Sequence, residues 1–302
     1  MLLFRNATTF KRDTIIQVIR RKLSSIEPVK LAYASYESTS SSNDADPAPL
    51  VVIHGLFGSK SNWNSLCKVY HNKTQRKIIA VDARNHGDSP HTDQHTYEHL
   101  ALDLKELLAQ LKFKKAAFLG HSMGGRAVMY FALKYPDFVD KLVVADISPV
   151  RTSPNFKTMP SLFNVLQNMN MPKNVPMSAA RTQTDLQMAR FISDKGLRNF
   201  LLTNLVQKLD GSYMWRINIP TLMANFEEIA AFPKTNDLMF EGPVLFIAGG
   251  ASDFIQESDH YKILKLFPKA EFYYIEGAGH WLHSEKPTEF LQHTIEFLNN
   301  KH

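Results

Sequence analysis

The hydrophobic positions of the chain form short apolar runs that alternate with longer stretches of helical periodicity. Residues 97–111, for example, carry leucines three and four positions apart, which predicts an amphipathic helix. Residues 29–36 alternate apolar and polar positions and predict an antiparallel edge strand. Strands that alternate with helices indicate a parallel sheet covered by helices. The apolar runs that predict buried strands are residues 50–53, 77–82, 116–119, 141–147, 243–248 and 271–275.

One apolar run ends in Gly120-His121-Ser122-Met123-Gly124 and passes at once into a helical stretch. Gly-x-Ser-x-Gly between a strand and a helix is the pattern of a nucleophile elbow, a sharp turn that exposes a serine hydroxyl at the edge of a sheet. The glycines leave room for that turn. A glycine-rich turn with an incidental serine is the alternative. The pattern predicts Ser122 as a nucleophile.

A serine hydroxyl becomes a good nucleophile only when a histidine takes its proton and a carboxylate orients that histidine. His280 follows the last predicted strand, directly after Gly277-Ala278-Gly279, and is the predicted base. Two acids lie at the ends of earlier strands: Asp146 at the carboxyl end of the run at residues 141–147, and Asp253 after residues 243–248. Because both lie at the carboxyl edge of the predicted sheet, the residues alone leave the choice between them open.

The loop after residues 50–53 is predicted to stabilise the negative charge of an acyl-transfer intermediate. Backbone N–H groups in such a loop are already fixed toward the developing oxyanion. We expect the amides of Leu56 (or Phe57) and Met123 to form this oxyanion hole. His54, at the start of the loop, is predicted to order it by hydrogen bonding and not to act as the base.

A polar turn follows the predicted strand at residues 77–82. Asp82, Arg84 and Ser89 are predicted to fix this turn through hydrogen bonds and an ion pair. A zinc site needs three or four convergent ligands. The histidines of this region span a loop and the start of a helix with no cysteine nearby, so we expect neither a metal nor a cofactor. They are His86, His91, His95 and His99.

Strand signals stop between about residues 151 and 240, where only short helical segments appear. This pattern predicts an all-helical cap, inserted between two core strands above the active-site edge. Eight of the eleven methionines lie in this insertion. Flexible thioether side chains suit an adaptable apolar pocket for an acyl chain. Simple packing of the cap against the core is the alternative interpretation for most of them.

The formal net charge of +6 is concentrated at the N-terminus. Residues 1–26 carry six basic residues and one acidic residue, a net +5, which leaves about +1 for the rest. Apolar residues at near-helical spacing among these charges predict a mitochondrial transit peptide. A retained basic helix on a membrane surface is the alternative. Without this segment no basic patch favours nucleic-acid binding, and no apolar run is as long as a transmembrane segment.

The only cysteine of the chain, Cys67, excludes an intrachain disulfide. A single cysteine fits a reducing compartment. The length of 302 residues allows one large core, so residues 27–302 are predicted to form one domain with the cap inserted in it.

Six motifs lie at residues 54–59, 81–91, 120–125, 146–150, 201–205 and 215–218. Together these motifs resemble the family of α/β-hydrolase domain-containing protein 11, which is similar to certain bacterial esterases. The resemblance runs from about residue 28 to the C-terminus. It implies the α/β-hydrolase fold, with a mostly parallel eight-stranded sheet flanked by helices and a helical cap.

The resemblance also bears on the acid and on cellular context. In that family the aspartate of the Asp-Ile-Ser-Pro motif is retained, whereas the position of Asp253 is often not acidic. Asp146 is therefore favoured, with Asp253 as the alternative because this chain keeps an acid at both positions. The family further implies esterase or lipid-hydrolase activity, a mitochondrial matrix location and association with the 2-oxoglutarate dehydrogenase complex.

These features predict a serine hydrolase acting on carboxylic esters through an acyl-enzyme intermediate. Ser122 attacks, His280 moves the proton, Asp146 orients the imidazole, and no cofactor is required. A serine at position 122 excludes the branches of the fold that use an aspartate nucleophile. Two alternatives stay open: thioester hydrolysis by the same residues, and a non-catalytic protein that binds or protects a mitochondrial complex.

Overall fold

The computed structural model describes residues 26–37, 47–235 and 238–300. Its nine strands in chain order are β1 Tyr33–Tyr36, β2 Leu50–Ile53, β3 Ile78–Val81, β4 Ala116–His121, β5 Val139–Ala145, β6 Leu205–Gln207, β7 Tyr213–Trp215, β8 Val244–Gly249 and β9 Ala270–Ile275. Seven of these form one sheet in the order β1-β3-β2-β4-β5-β8-β9. Only β1 runs antiparallel to its neighbour, as the alternating pattern of residues 29–36 predicts.

The prediction of an α/β fold with a mostly parallel sheet is confirmed, but the expected number of eight strands is wrong for the described residues. The core contains seven strand-like runs, and each of them forms a strand. The eighth strand was expected from the fold class alone, and no run of residues in the core supports it.

Helices cover both faces of the sheet. The longer ones carry the periodic leucines and aromatic residues that the sequence predicts. In chain order the helices are α1 Asn64–Thr74, α2 Tyr97–Gln110, α3 Met123–Lys134, α4 Met159–Gln167, α5 Met177–Met188, α6 Lys195–Leu202, α7 Ile219–Ala224, α8 Phe226–Ala230, α9 His260–Leu266, α10 Leu282–Glu285 and α11 Pro287–Asn299. Short 3-10 helices lie at Lys60–Trp63, Pro136–Phe138, Pro154–Thr158 and Glu257–Asp259.

The core consists of two apolar layers, one on each face of the sheet. Successive side chains of a strand point to opposite faces. Val51 and Ile53 of β2 accordingly pack in the layer that contains α2 and α3, whereas Leu50 and Val52 pack in the layer that contains α1 and α11. Each fully buried aliphatic side chain contributes about 1.5–3 kcal/mol to folding. The sheet is therefore a rigid support for the loops at its carboxyl edge.

The segment between β5 and β8 contains helices α4 to α8, as predicted for a cap, but it is not all-helical. Strands β6 and β7 form an antiparallel hairpin within it. Each strand has only three residues, too few to show a period-two pattern. The Asp210-Gly211 pair between them is a typical hairpin-turn sequence and is the signal that could have found it.

Both ends of this segment are held by one buried side chain of the core. The guanidinium of Arg126, on α3, donates to the carbonyl oxygens of Ser148 and Arg151 where the segment begins. It also donates to the carbonyl oxygens of Ile229 and Ala230 where the segment ends. Arg126 is almost fully buried, so these carbonyls replace water around its charge. The cap is thereby fastened to the sheet at both of its connections.

Two further predictions concern the N-terminal segment and membrane-spanning helices. Residues 1–25 lie outside the described residues, so the predicted transit peptide over residues 1–26 stays a prediction. Among the helices that the structure describes, none has both the length and the apolar character needed to cross a membrane.

Candidate active site

Ser122 lies in the sharp turn between β4 and α3 that its sequence pattern predicts. Its backbone has φ 53° and ψ −119°, a conformation that costs a non-glycine residue of order 1–3 kcal/mol. The turn is possible because Gly120 and Gly124, two positions away on either side, lack side chains. A Cβ added at Gly120 would lie 2.3 Å from the carbonyl oxygen of Gly124, and one at Gly124 would lie 2.5 Å from that of His54. Any larger residue would force this turn open.

The parallel strands bring three distant side chains together at the carboxyl edge of the sheet. Ser122 Oγ lies 3.0 Å from His280 Nε2, and His280 Nδ1 lies 2.7 Å from Asp146 Oδ2. The carboxylate can only accept a hydrogen bond, so Nδ1 carries the proton. The Nε2 lone pair then faces the serine hydroxyl, which is the arrangement required of a general base.

Asp146 is fully buried, and both oxygens of its carboxylate accept hydrogen bonds. Oδ1 accepts from the backbone amide of Gly249 at 3.0 Å, and Oδ2 accepts from Ser252 Oγ as well as from His280. A buried charge is tolerated when hydrogen bonds replace its hydration. These contacts fix the position of the carboxylate, and with it the tilt of the imidazole.

Asp253, the alternative acid, is placed elsewhere. Its Oδ1 accepts from Ser153 Oγ at 2.7 Å and from Asn155 Nδ2 at 3.0 Å, at the beginning of the cap. No hydrogen bond joins it to His280 within the described residues. Of the two candidate acids, the structure therefore brings Asp146 to the imidazole and uses Asp253 to tether the cap.

Three further residues hold His280, and sequence reasoning missed all of them. The ring of Phe254 stacks on the imidazole with centroids 3.8 Å apart. His121 Nε2–H donates to the carbonyl oxygen of His280 at 2.8 Å. Glu285 accepts from the amide of Gly279 at 2.6 Å. Only His121 had a possible signal, its place beside Ser122 in the elbow. Phe254 belongs to a different segment from His280, and Glu285, six positions after Gly279, lies in no recognised motif.

His121 is suited to this role because it is neutral. Burial is the main reason why the pKa of the His121 imidazole lies well below its usual range, and the nearby His283 and His280 lower it further. A neutral imidazole has one N–H donor, and here that donor is committed to the backbone of His280. His121 therefore positions the predicted base without competing for its proton.

The loop predicted to form the oxyanion hole lies against the serine. A Cβ added at Gly55 would be only 3.1 Å from Ser122 Cβ. The amide of Phe57 donates to His86 Nε2 at 3.2 Å and is therefore in use. The amides of Leu56 and Met123 donate to no other group of the described chain. Of the two loop candidates, Leu56 remains available beside Met123.

His54 orders this loop, as predicted. Its Nε2 accepts from the amide of Ala83 at 3.1 Å, and its Nδ1 lies 2.7 Å from the carbonyl oxygen of Gly55. Burial lowers the pKa of the His54 imidazole and keeps it neutral. His54 thus links the oxyanion loop to the turn that follows β3.

The polar turn after β3 is fixed by the groups that the sequence indicates. Ser89 Oγ donates to the carbonyl oxygen of Asp82 at 2.6 Å. The Asp82 carboxylate pairs with Lys60, and the guanidinium of Arg84 makes a two-pronged contact with Asp103 at 2.6 and 2.7 Å. The sequence predicted the anchoring residues, but their partners on other elements were not predictable from local pattern.

The histidines near this turn have separate hydrogen-bonding partners. His86 accepts from the Phe57 amide, His95 lies 3.2 Å from Met123 Sδ, and His91 contacts the carbonyl oxygen of Arg216. Within the part of the chain that the structure describes, no group of three or more His, Cys, Asp or Glu side chains could hold a metal ion.

A cavity of about 280 Å³ opens above Ser122 and His280. The cap lines it with apolar side chains, and only one of the eight cap methionines, Met159, is among them. Met188 is fully buried in the apolar core of the cap, so packing is the better interpretation for most of the methionines. The apolar cap residues of the cavity are Phe156, Met159, Leu162, Leu197 and Phe200.

Comparison with known proteins agrees with this geometry. A family model described as alpha/beta hydrolase fold matches residues 48–287. The chain is 41% identical over 273 residues to a Mus musculus protein named sn-1-specific diacylglycerol lipase ABHD11, covering 90% of this chain and 86% of that protein. It is 35% identical over 258 residues to Esterase YbfF of Escherichia coli (strain K12), covering 85% and 96%. The solved structure of an esterase from a marine microorganism superposes with a TM-score of 0.79 at 36% identity, covering 89% and 99%.

The fold, the elbow and these similarities define a serine hydrolase of carboxylic esters. The chain belongs to the α/β-hydrolase fold family and, within it, to the family of α/β-hydrolase domain-containing protein 11. The predictions of the family and of an esterase- or lipase-type enzyme are thereby confirmed.

Proposed function

We propose that this enzyme hydrolyses an ester of a neutral glyceride lipid through an acyl-enzyme intermediate on Ser122. The observation that carries the proposal is the hydrogen-bonded series Ser122–His280–Asp146 at the base of an apolar cavity. The name of the mouse relative supports a diglyceride as the substrate. An apolar cavity beside a few fixed polar groups suits one acyl chain with its ester at the serine.

In the acylation step His280 Nε2 takes the proton of the Ser122 hydroxyl as Oγ attacks the ester carbonyl carbon. The carbonyl oxygen becomes an oxyanion, which the amides of Leu56 and Met123 stabilise. Met123 is the first residue of α3, so the positive end of the helix dipole adds to this stabilisation. His280 then gives its proton to the leaving alcohol, and the acyl group remains on Oγ.

In the deacylation step a water molecule replaces the alcohol. His280 takes a proton from the water as its oxygen attacks the acyl carbon. The proton then returns to Ser122 Oγ as the fatty acid leaves. Asp146 holds Nδ1 protonated throughout and stabilises the imidazolium formed in each step.

Covalent labelling tests the proposal. A fluorophosphonate probe should label the wild-type enzyme, and Ser122→Ala should abolish both labelling and hydrolysis of dioctanoylglycerol. A folded wild type that neither reacts with the probe nor cleaves the lipid would favour the non-catalytic binding function instead. Cleavage of an octanoyl thioester much faster than of the octanoyl ester would favour the thioesterase alternative.

We also propose that the enzyme acts in the mitochondrial matrix, on the strength of the basic residues 1–26 and the family resemblance. Residues 1–26 fused to a fluorescent protein should direct it to mitochondria, and replacing Arg20 and Arg21 by Glu should prevent this. A fusion that stays in the cytosol would contradict the proposal. Association with the 2-oxoglutarate dehydrogenase complex rests on the resemblance alone and is tested by co-purification from mitochondria.

A further inference from the structure

A second pocket, here called the outer groove, opens beside the catalytic cavity. It has a volume of about 600 Å³, against about 280 Å³ for the cavity. Helix α6 of the cap forms one wall, and α1 and the segment of α10 and α11 form the other. Leu66, Val69 and Leu291 give the groove an apolar lining. The larger of the two adjoining spaces is therefore not the one that contains Ser122.

The outer groove and the catalytic cavity are neighbouring compartments of one site. They share five lining residues: Asn62, Leu197, Phe200, Trp281 and His283. Phe200 comes from the cap and Trp281 directly follows the base His280, and their ring centroids lie 6.2 Å apart. These two rings therefore form part of the boundary between the catalytic cavity and the outer groove.

The boundary also carries an unused hydrogen-bonding group. His283 is 8% exposed and lines both compartments, and its Nδ1 has no hydrogen-bond partner among the described residues. Burial and the nearby His280 lower the pKa of the His283 imidazole to about 3, so the ring is neutral. A buried polar atom without a partner is costly. Nδ1 itself is buried within the protein, so His283 lines the boundary as a neutral ring.

The charges of the outer groove favour a neutral ligand. Asp194 and Glu285 are among its lining residues, and no lysine or arginine lines it in the described chain. Two carboxylates disfavour a phosphate or a free fatty acid and leave a neutral chain unaffected.

We propose that the outer groove binds the uncleaved acyl chain of a neutral two-chain glyceride, while the catalytic cavity holds the chain that is cleaved. A cavity of about 280 Å³ is at the small end of the range for ligand pockets, about 300–1,000 Å³, whereas the outer groove adds about 600 Å³ beside it. This inference rests on the proposed ester hydrolysis at Ser122.

Filling the outer groove tests the inference. Ser65→Trp on α1 and Leu291→Trp on α11 narrow it from two different helices of the wall that faces α6, and neither residue lines the catalytic cavity. Leu186→Trp, at an exposed position of α5, is the matched control. Values of kcat/KM are measured for dioctanoylglycerol, for monooctanoylglycerol and for the phosphate ester of dioctanoylglycerol, with melting temperatures as a check of folding.

The wild type and Leu186→Trp should prefer dioctanoylglycerol over monooctanoylglycerol and over the phosphate. In the two groove variants the ratio of dioctanoylglycerol to monooctanoylglycerol should fall about tenfold or more, because the second chain loses its apolar contacts. An unchanged ratio in folded variants, a parallel loss on both substrates, or preferred cleavage of the phosphate would overturn the inference. Absence of cleavage of any substrate by the wild type would instead overturn the proposed ester hydrolysis.

Discussion

The side-chain amide of Asn204 donates a 2.7 Å hydrogen bond to the carbonyl oxygen of Phe57. Asn204 belongs to the cap and directly follows the last turn of α6, whereas Phe57 lies in the oxyanion loop of the core. Because His86 holds the amide of Phe57, the residue is fixed on both sides. Phe57 has φ 64°, an unfavourable value for a bulky residue, so outside contacts are needed to keep it there. The cap therefore fixes Phe57, the residue that follows Leu56, whose amide is the predicted oxyanion donor.

Loss of this contact should lower kcat more than it raises KM. Asn204→Leu keeps the side-chain size but removes the donor, so the oxyanion loop relaxes. Removing one oxyanion donor outright costs about 10²–10³ in kcat, so displacing one should cost about ten- to a hundredfold. Steady-state kinetics on a short-chain ester measure this effect. The exposed neighbour Thr203→Ala should behave like the wild type, and an Asn204→Leu enzyme with normal kcat would show that the contact is only structural.

The two candidate acids should differ strongly when each is made neutral. Asp146→Asn keeps the packing but no longer holds His280 Nδ1 as the donor, so kcat/KM should fall by about 10³–10⁴. Asp253→Asn should lose less than about tenfold, since its partners are the cap residues Ser153 and Asn155. Rates for both variants on one ester decide the matter, and the opposite ranking would contradict the geometry.

The sequence predicts much of this site because the relevant patterns are local. The strand-turn-helix around Ser122 and the periodic leucines of α2 each lie within a short window of the chain, and both appear in the structure. Asn204 and Phe254 act across long sequence separations, so no window contains both partners. Likewise Asp146 and Asp253 look alike in sequence, and only the path of each loop decides which carboxylate meets His280.

The hydrogen bonds that Arg126 donates to both ends of the cap should contribute strongly to the stability of the folded protein. Arg126→Met removes a donor from four carbonyl groups. The carbonyls of Ile229 and Ala230 keep a second donor, Tyr97 Oη or Thr152 Oγ1, whereas those of Ser148 and Arg151 lose the donor they have. Leaving a buried polar group unpaired costs about 1–3 kcal/mol, so the free energy of unfolding should fall by about 3 kcal/mol. Urea denaturation measures the change. The same substitution at the exposed Arg190 is the control. Equal stability of the two variants would show that the hydrogen bonds of Arg126 do not stabilise the fold.

The buried histidines should make the fold sensitive to mild acid. The pKa of His95 is lowered to about 3 by burial, and so is that of His283, against about 6.5 in an unfolded chain. Between these values only the unfolded state binds the proton, so stability is complete above about pH 6.5 and is lost as the pH falls. Each such histidine adds a slope of about 1.4 kcal/mol per pH unit below that point.

This linkage is measured by urea denaturation between pH 7 and pH 5. His95→Gln should reduce the pH dependence of the unfolding free energy by about one proton. Replacement of the exposed His91 by Gln provides the comparison and should leave the slope unchanged. If the His95→Gln slope equals that of the wild type, His95 is not held neutral in the fold.

The central claim is that Ser122 carries the acyl group during ester hydrolysis. Mixing the enzyme with excess dioctanoylglycerol, quenching with acid within one turnover and digesting the product allows the acylated peptide to be identified by mass spectrometry. We predict one octanoyl group, on the peptide that contains Ser122. Rapid hydrolysis without any acylated peptide, or with the octanoyl group on a different residue, would contradict the account.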